Sequence, residues 1–509
     1  MRFVVGTVFT QAYGSSLEMT ELTSALTVPE PGADFSPWAP QDRCFLDDRG
    51  CFYSGLHKIA RKSLRDLGLD VDVEYLPGVK SAQQILDINP EVVPGKTLRD
   101  YQIRGAQKSI YQERGIIRIG TGSGKSILAL AIIRTLNLPT LFVVHSQNLL
   151  IQTAQKFVDA ALGDDLVVLG DVQDESRDAL ESTGVLFWDP EDPEAALQRP
   201  MCVAMVHSLY SMIARRDPAA EELLTRTEVL IGDEVHHLAS RIWGVVFSQC
   251  PARYRYGLSA TPWVKMEFER NARDYQVMGL TGPVVYELPN TVLEEKKAIE
   301  KPRVFMIPLR SQTVLRSRDW QEIHQKGIVD NDDRNAQILA YARLLHQQGE
   351  KTIIPVSRHE HLALLLRGLD QMKVPAYGSV GGRKVLEWSG GAVVEASLTP
   401  EALHCAVAAS TQGTTIVCTS VYDEALDLPE LTAIILAAGG KSVRQVLQRI
   451  GRVLRPSSSG GVVVIDFFDH ISAILRNHSY QRRKIYDEMQ WPVEVAIPRL
   501  DALRRVFSQ

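Results

Sequence analysis

Two short stretches carry residue types suited to phosphate chemistry. The first is Gly120-Thr121-Gly122-Ser123-Gly124-Lys125-Ser126. Glycines let backbone N–H groups curl around phosphate oxygens, a lysine brings a fixed positive charge, and a serine hydroxyl can ligate Mg2+. Apolar runs at 116–119 and 127–136 flank it. They give the strand, loop and helix order such a loop needs, and the helix N-terminus adds the positive end of its dipole. The general pattern has Gly where this chain has Ile119. The second stretch, Asp233-Glu234-Val235-His236-His237, follows the apolar run 229–231. A carboxylate at the C-terminal end of such a strand faces the ligand crevice of an open parallel sheet. Asp233 is then placed to hold Mg2+ through water, and Glu234 to position and deprotonate an attacking water.

The elements that must position these groups read as α/β. Runs at 115–119, 140–144, 202–206 and 229–231 are each followed by helical periodicity, which predicts a parallel sheet covered on both faces. The acidic segment 164–200 reads as a solvated surface excursion, and the charged stretch 291–301 as a linker. A second α/β block follows, with strands expected at 303–307, 352–356, 415–418, 433–436 and 462–465 and a Gly-rich loop or hairpin at 378–391. Before both lies a small α+β block: a strand in MRFVVGTVF, short strands at 44–46 and 51–53, a helix at 55–67 and a strand at 71–75. The domains expected are 1–93, 94–301 and 302–509.

The 509 residues allow two or three domains, and the net charge of −5 is too mild to announce a polyanionic partner, so any positive surface is local. Six scattered cysteines without a CxxC pair suit a reducing compartment. Cys44, Cys51 and His57 are near enough in sequence to consider as metal ligands, although buried thiols on a hairpin explain them more simply. No transmembrane run or signal pattern is present. A cytoplasmic-type soluble protein of a bacterial or phage-infected cell is expected, with a monomer favoured.

At this point the sequence resembles the superfamily 2 helicases with a DExH box, over about residues 95–470. That implies two tandem RecA-like motor domains, ATP as substrate and Mg2+ as cofactor. Leu98-Arg99-Asp100-Tyr101-Gln102 resembles the adenine-recognition segment, with Tyr101 stacking on the base and Gln102 and Arg99 at its edge. Segments 143–147 and 206–209 fall where the family contacts the tracking strand, and Ser259-Ala260-Thr261-Pro262 where it links hydrolysis to strand movement. Segment 419–429 resembles motif V, with Glu424 and Asp427 in place but Ala425 where the family has Gly. Segment 448–455 resembles motif VI. There Gln448 would touch the phosphate or the lytic water, and Arg452 and Arg455 would serve as arginine fingers. The DEVHH box, the segment 279–286 and the run 423–442 are similar to the XPB and phage UvsW group of branched-DNA motors.

Nucleic acid, DNA at forks or junctions in particular, is therefore the expected partner. Lys58, Arg61, Lys62 and Arg65 would share one side of the N-terminal helix. Arg476, Arg482, Arg483 and Lys484 form a second basic group, in the last seventy residues, where basic side chains are about twice as frequent as acidic ones. Trp38, Phe52 and Tyr53 are candidates for base stacking, though core packing suits them better. Three other readings stay open: the duplex translocase of a restriction or defence system, an RNA helicase, and an ATP-switched nucleic-acid clamp. Glu234, Arg452 and Arg455 argue against the last.

Overall fold

The computed structural model describes residues 1–30, 42–79, 86–120, 123–263, 270–309, 314–380, 384–410, 412–419, 431–440, 446–447, 450–451, 454 and 461–495. The chain divides into two compact units, essentially residues 1–288 and 289–509. Among the described residues, no helix is long and apolar enough to cross a membrane.

The first unit holds an all-parallel sheet whose strands run, edge to edge, Leu186–Phe187, Leu166–Leu169, Met201–Met205, Thr140–Val144, Val229–Asp233, Tyr254–Ser259, Arg114–Ile119 and Val284–Leu288. Its central strands are buried along their length, as β-branched and apolar runs covered on both faces must be. The expected strands lie within a residue or two of these bounds. The segment 164–200 departs from expectation. Its acidic residues other than Glu175 are exposed, but Leu166–Leu169 is fully buried and pairs with Met201–Met205, extending the sheet. Four consecutive apolar residues outweighed the surrounding charge.

The N-terminal block forms its own sheet, ordered Cys51–Tyr53, Phe9–Tyr13, Arg2–Val5, Asp72–Tyr75; MRFVVGTVF supplies the strand Arg2–Val5, and its last residue, Phe9, begins a second strand. Its core is continuous with the motor core: Phe3, Phe52 and Leu56 belong to the same buried cluster as Met278 and Leu280. Polar contacts reinforce the junction, with Arg43 donating to Gln276 Oε1 at 3.0 Å and Arg114 donating to the Thr7 carbonyl at 2.9 Å.

The second unit contains a sheet ordered Ala392–Glu395, Lys384–Ser389, Ala376–Val380, Thr415–Thr419, Thr352–Val356, Ala433–Ile435, Val462–Asp469, Pro302–Leu309, Val493–Glu494. All pairs are parallel except the antiparallel edge hairpins, which the Gly-rich stretch forms. The stretch 291–301 is not a free linker: it starts in the helix Asn290–Glu295, and Leu293, Ala298 and Ile299 are buried.

The second unit also buries a basic residue expected on its surface. Arg482, in the helix Ala473–Glu488, donates to both oxygens of Asp466 and pairs with Asp469, which also holds the buried Arg334. A buried guanidinium needs such partners. The proposed basic face shrinks further because Arg483 pairs with Asp487, and Lys484 with Glu488, one turn on.

Nearby, His361 Nε2 bonds Asn335 Oδ1 at 2.8 Å. Burial, with the charges of Arg334 and His324, holds this imidazole down to about 3. The unfolded chain therefore binds a proton that the folded chain does not between about pH 6.5 and that value, so stability falls as pH drops through the window. Equilibrium unfolding should lose up to about 1.4 kcal/mol per pH unit from this group. His361→Gln should flatten that acid slope.

Candidate functional site

The parallel sheet fixes the site. Neighbouring strands end in the DExH turn (Val229–Asp233), the Ser259 segment (Tyr254–Ser259) and the phosphate loop (Arg114–Ile119). All three C-terminal ends open on one edge, the ligand-binding edge of such sheets.

Gly124 precedes the helix Lys125–Leu136 with φ +87, a left-handed conformation that favours glycine, and a Cβ there would also push aside the end of the Gln102 side chain. Gln102 also caps its own helix, Asp100–Gln112, where its Oε1 accepts from the Arg99 backbone. Its amide reaches the Gly124 carbonyl at 3.4 Å. The expected adenine segment is thus tied to the phosphate loop. Tyr101 is buried, its hydroxyl accepting from Arg99 and its carbonyl from the Tyr286 hydroxyl. Gly120 follows the strand Arg114–Ile119, Ser123 is buried, and Lys125 and Ser126 open the helix. Thr121 and Gly122 lie outside the described residues.

Lys125 Nζ lies 3.4 Å from Glu234 Oε1. The other carboxylate oxygen meets Ser259 Oγ at 3.2 Å and His236 Nδ1 at 3.3 Å. Glu234 itself sits in the left-handed region at φ +49, a conformation that costs of order 1–3 kcal/mol for a non-glycine residue and recurs at functional sites. The turn can pack only because position 257 is glycine: a Cβ there would come within 2.1 Å of Val235. Burial alone would raise the Glu234 carboxyl, but Lys125, His236 and Ser259 together hold it below the usual carboxylate range. Burial and the adjacent Glu234 charge push Asp233 the other way, above its ordinary value. The two neighbours are thus separated: Glu234 is ionised as a base must be, and Asp233 is a buried oxygen donor whose charge a cation would stabilise.

Sequence reasoning missed three contributors. Lys156 donates to Ser126 Oγ at 3.2 Å from the helix Gln147–Asp159. Tyr286 anchors the adenine segment. His236 orients the Glu234 carboxylate. Of these, His236 had a local signal within DEVHH and Tyr286 lay in the segment 279–286, whereas Lys156 had none. The rings of His145, His237 and His236 lie in a row at 4.4 and 4.3 Å, joining the segment 143–147, expected to contact a tracking strand, to the DExH turn.

Other candidates lie elsewhere. Gln448, Arg452, Arg455, Asp427 and Trp38 fall outside the described residues. Cys44 is exposed and Cys51 half-buried, not the buried thiols expected. Cys51 Sγ donates to Gln11 Oε1, and the His57 ring is held by the Ser54 carbonyl and the Tyr75 hydroxyl. Phe52 is core, and Tyr53 stacks on Phe9.

A phosphate loop and a DExH turn in one parallel sheet, with a second sheet of the same kind in tandem, define a RecA-like P-loop ATPase of the superfamily 2 helicase class. Comparison with known proteins bears this out. Residues 95–264 match the family described as type III restriction enzyme, res subunit. The DNA 3'-5' translocase XPB2 of Sulfurisphaera tokodaii is 25% identical over 393 residues, covering 72% of this chain and 80% of that one. The crystal structure of the helicase MrfA bound to DNA and AMPPNP shares the fold at a TM-score of 0.54 and 14% identity, covering 82% of this chain and 55% of that one. The chain is an ATP-dependent helicase-type motor of superfamily 2.

Two substitutions separate nucleotide binding from turnover. Lys125→Ala removes the ammonium from the phosphate site and should abolish ATP binding or hydrolysis. Gly257→Ala forces Val235, and with it the DExH turn, to move; ATPase should fall more than tenfold while nucleotide affinity, measured with a fluorescent analogue, stays within a few-fold.

Proposed function

We propose that the chain converts ATP hydrolysis into movement along DNA, as a helicase or translocase. The supporting observation is the double engagement of Glu234, by the phosphate-loop lysine and by Ser259 of the segment that the family resemblance links to strand movement. A phosphate oxygen competes with the Glu234 carboxylate for Lys125. Once Lys125 turns to phosphate, Glu234 keeps its contacts with His236 and Ser259 and can take a proton from water. The likeness to the DNA translocase XPB2 of Sulfurisphaera tokodaii favours DNA over RNA.

Mg2+ fits the hard oxygen donors available, the Ser126 hydroxyl and the Asp233 carboxylate, one or two protein ligands being usual for this ion. When bound it would neutralise charge on the β- and γ-phosphates. Arg452 and Arg455 add cations at the γ-phosphate in the transition state, and Gln448 contacts the phosphate or the water. Asp427 completes the nucleotide-binding set.

The N-terminal block, in this reading, selects forked or junction DNA. Of the four basic residues expected on one side of its helix, Lys58, Lys62 and Arg65 are exposed, Lys58 donating to Gln112 in the motor, whereas Arg61 is half-buried. Duplex translocation without strand separation is a second reading, favoured by the match to a restriction-motor family.

ATPase stimulation by single-stranded DNA, duplex, fork, four-way junction and RNA decides among these. DNA should stimulate at least about tenfold more than RNA, with fork or junction strongest; stimulation by RNA alone would contradict the reading. Strand displacement on the fork separates helicase from duplex translocase. Arg452→Ala should lower kcat by roughly 10³-fold with little change in nucleotide affinity. A defect confined to Kd would remove its assigned role.

A further inference from the structure

The junction between the N-terminal sheet and the motor encloses a cavity of about 30 Å³. It is lined by Thr7, His57, Lys58 and Tyr75 from the N-terminal block and by Gln112, Glu113, Arg114 and Arg253 from the motor. None of these belongs to the nucleotide site. Three cations, Lys58, Arg114 and Arg253, face a single carboxylate, and that carboxylate is already committed, with Arg253 donating to Glu113 at 2.7 Å.

Arg114 is the telling residue. Its Nε and Nη1 donate to the carbonyls of Thr281 and Thr7, both at 2.9 Å, and its Nη2 is buried without a hydrogen-bond partner among the described residues. Arg253 Nε, on the same cavity wall, is likewise buried without one, as is Nε of Arg61, the charge next to Tyr75. Burial and the neighbouring Arg255 charge drive the Arg114 guanidinium down to about 9. Arg114 donates only to carbonyl oxygens, Glu113 offsets its charge only in part, and unmade donor bonds in a buried site are costly. An oxyanion repairs both faults, because guanidinium forks match the geometry of phosphate oxygens. The volume admits a group on the order of two or three waters in size, enough for a single phosphoryl group.

We propose that this cavity binds a phosphate-class oxyanion through Arg114, Lys58 and Arg253. Two sources share that chemistry, free inorganic phosphate and a backbone phosphate of bound DNA. Arg114 begins the strand that ends at the phosphate loop, so an anion here would brace the N-terminal block against the strand carrying the nucleotide site.

The test uses the full chain carrying Lys125→Ala, which silences the phosphate loop. Inorganic phosphate is titrated against a thermal-unfolding readout, with ionic strength held by chloride. The proposal expects a saturable rise in Tm. Lys58→Glu, an exposed change that places a carboxylate on the cavity wall, should weaken phosphate binding at least tenfold. Arg114→Gln should do the same; since it could also loosen the junction, Lys58→Glu is the deciding variant. A saturable Tm rise unchanged by Lys58→Glu, or no rise at all, overturns the proposal. The second arm measures duplex binding over a salt series. If the source is backbone phosphate, inorganic phosphate competes with duplex and Lys58→Glu lowers the salt slope by about one. If the source is free phosphate, duplex binding is unchanged while the Tm response is lost. Phosphate binding in this form of the chain does not depend on ATP turnover, so failure here and failure of the motor reading are separately visible.

Discussion

The contact between Lys125 and Glu234 is the interaction on which the rest of the site depends. It joins the start of the phosphate-loop helix to the end of a strand two places away in the sheet. Only a parallel order delivers both groups to one edge, because parallel strands point all their C-terminal ends the same way. The strand between them ends in Ser259, whose hydroxyl bonds the same carboxylate. Three consecutive strand ends are therefore tied through one side chain. Anything that draws Lys125 toward phosphate also changes what Glu234 holds, and so what Ser259 feels.

Supporting groups keep this arrangement narrow. His236 and Ser259 leave the carboxylate one oxygen to share with Lys125. The absence of a side chain at position 257 admits Val235, and the left-handed backbone at Glu234 turns its carboxylate back over the sheet edge. Strain of that kind persists only where surrounding packing over-determines it, and here Val235 and Leu238 are fully buried. Gln102 then links the loop to the helix that carries Tyr101, tying the expected base-recognition segment to the phosphate segment.

What was legible in the sequence follows from how local each signal is. The phosphate loop and DEVHH could be read directly because their chemistry depends on backbone shape over five to seven adjacent residues. Strands such as Thr140–Val144 and Thr352–Val356 were legible for the same reason, being short apolar runs with turn residues around them. Misreadings came where distant partners decide. Arg482 looked like a surface base until Asp466, sixteen positions earlier, was found to accept from it in the core. Leu166–Leu169 was hidden by the acidic residues on either side, although the neighbouring strand Met201–Met205 determines its fate. Lys156 carries no local mark at all; only the fold brings it to Ser126. The N-terminal block read as a separable unit, yet it shares a continuous core with the motor, a fact carried by pairs such as Arg43 and Gln276 that lie far apart in the chain.

The most direct measurement of the central role given to Glu234 is Glu234→Gln, with ATP binding and single-turnover hydrolysis followed separately in the presence of DNA. The amide keeps the shape and the Ser259 contact but cannot accept a proton from water. ATP should bind with wild-type or higher affinity, since Lys125 no longer has a carboxylate competing with phosphate, while hydrolysis should fall by roughly 10²–10⁴-fold. Turnover close to wild type would show that Glu234 is not the base and that its contact with Lys125 is structural only.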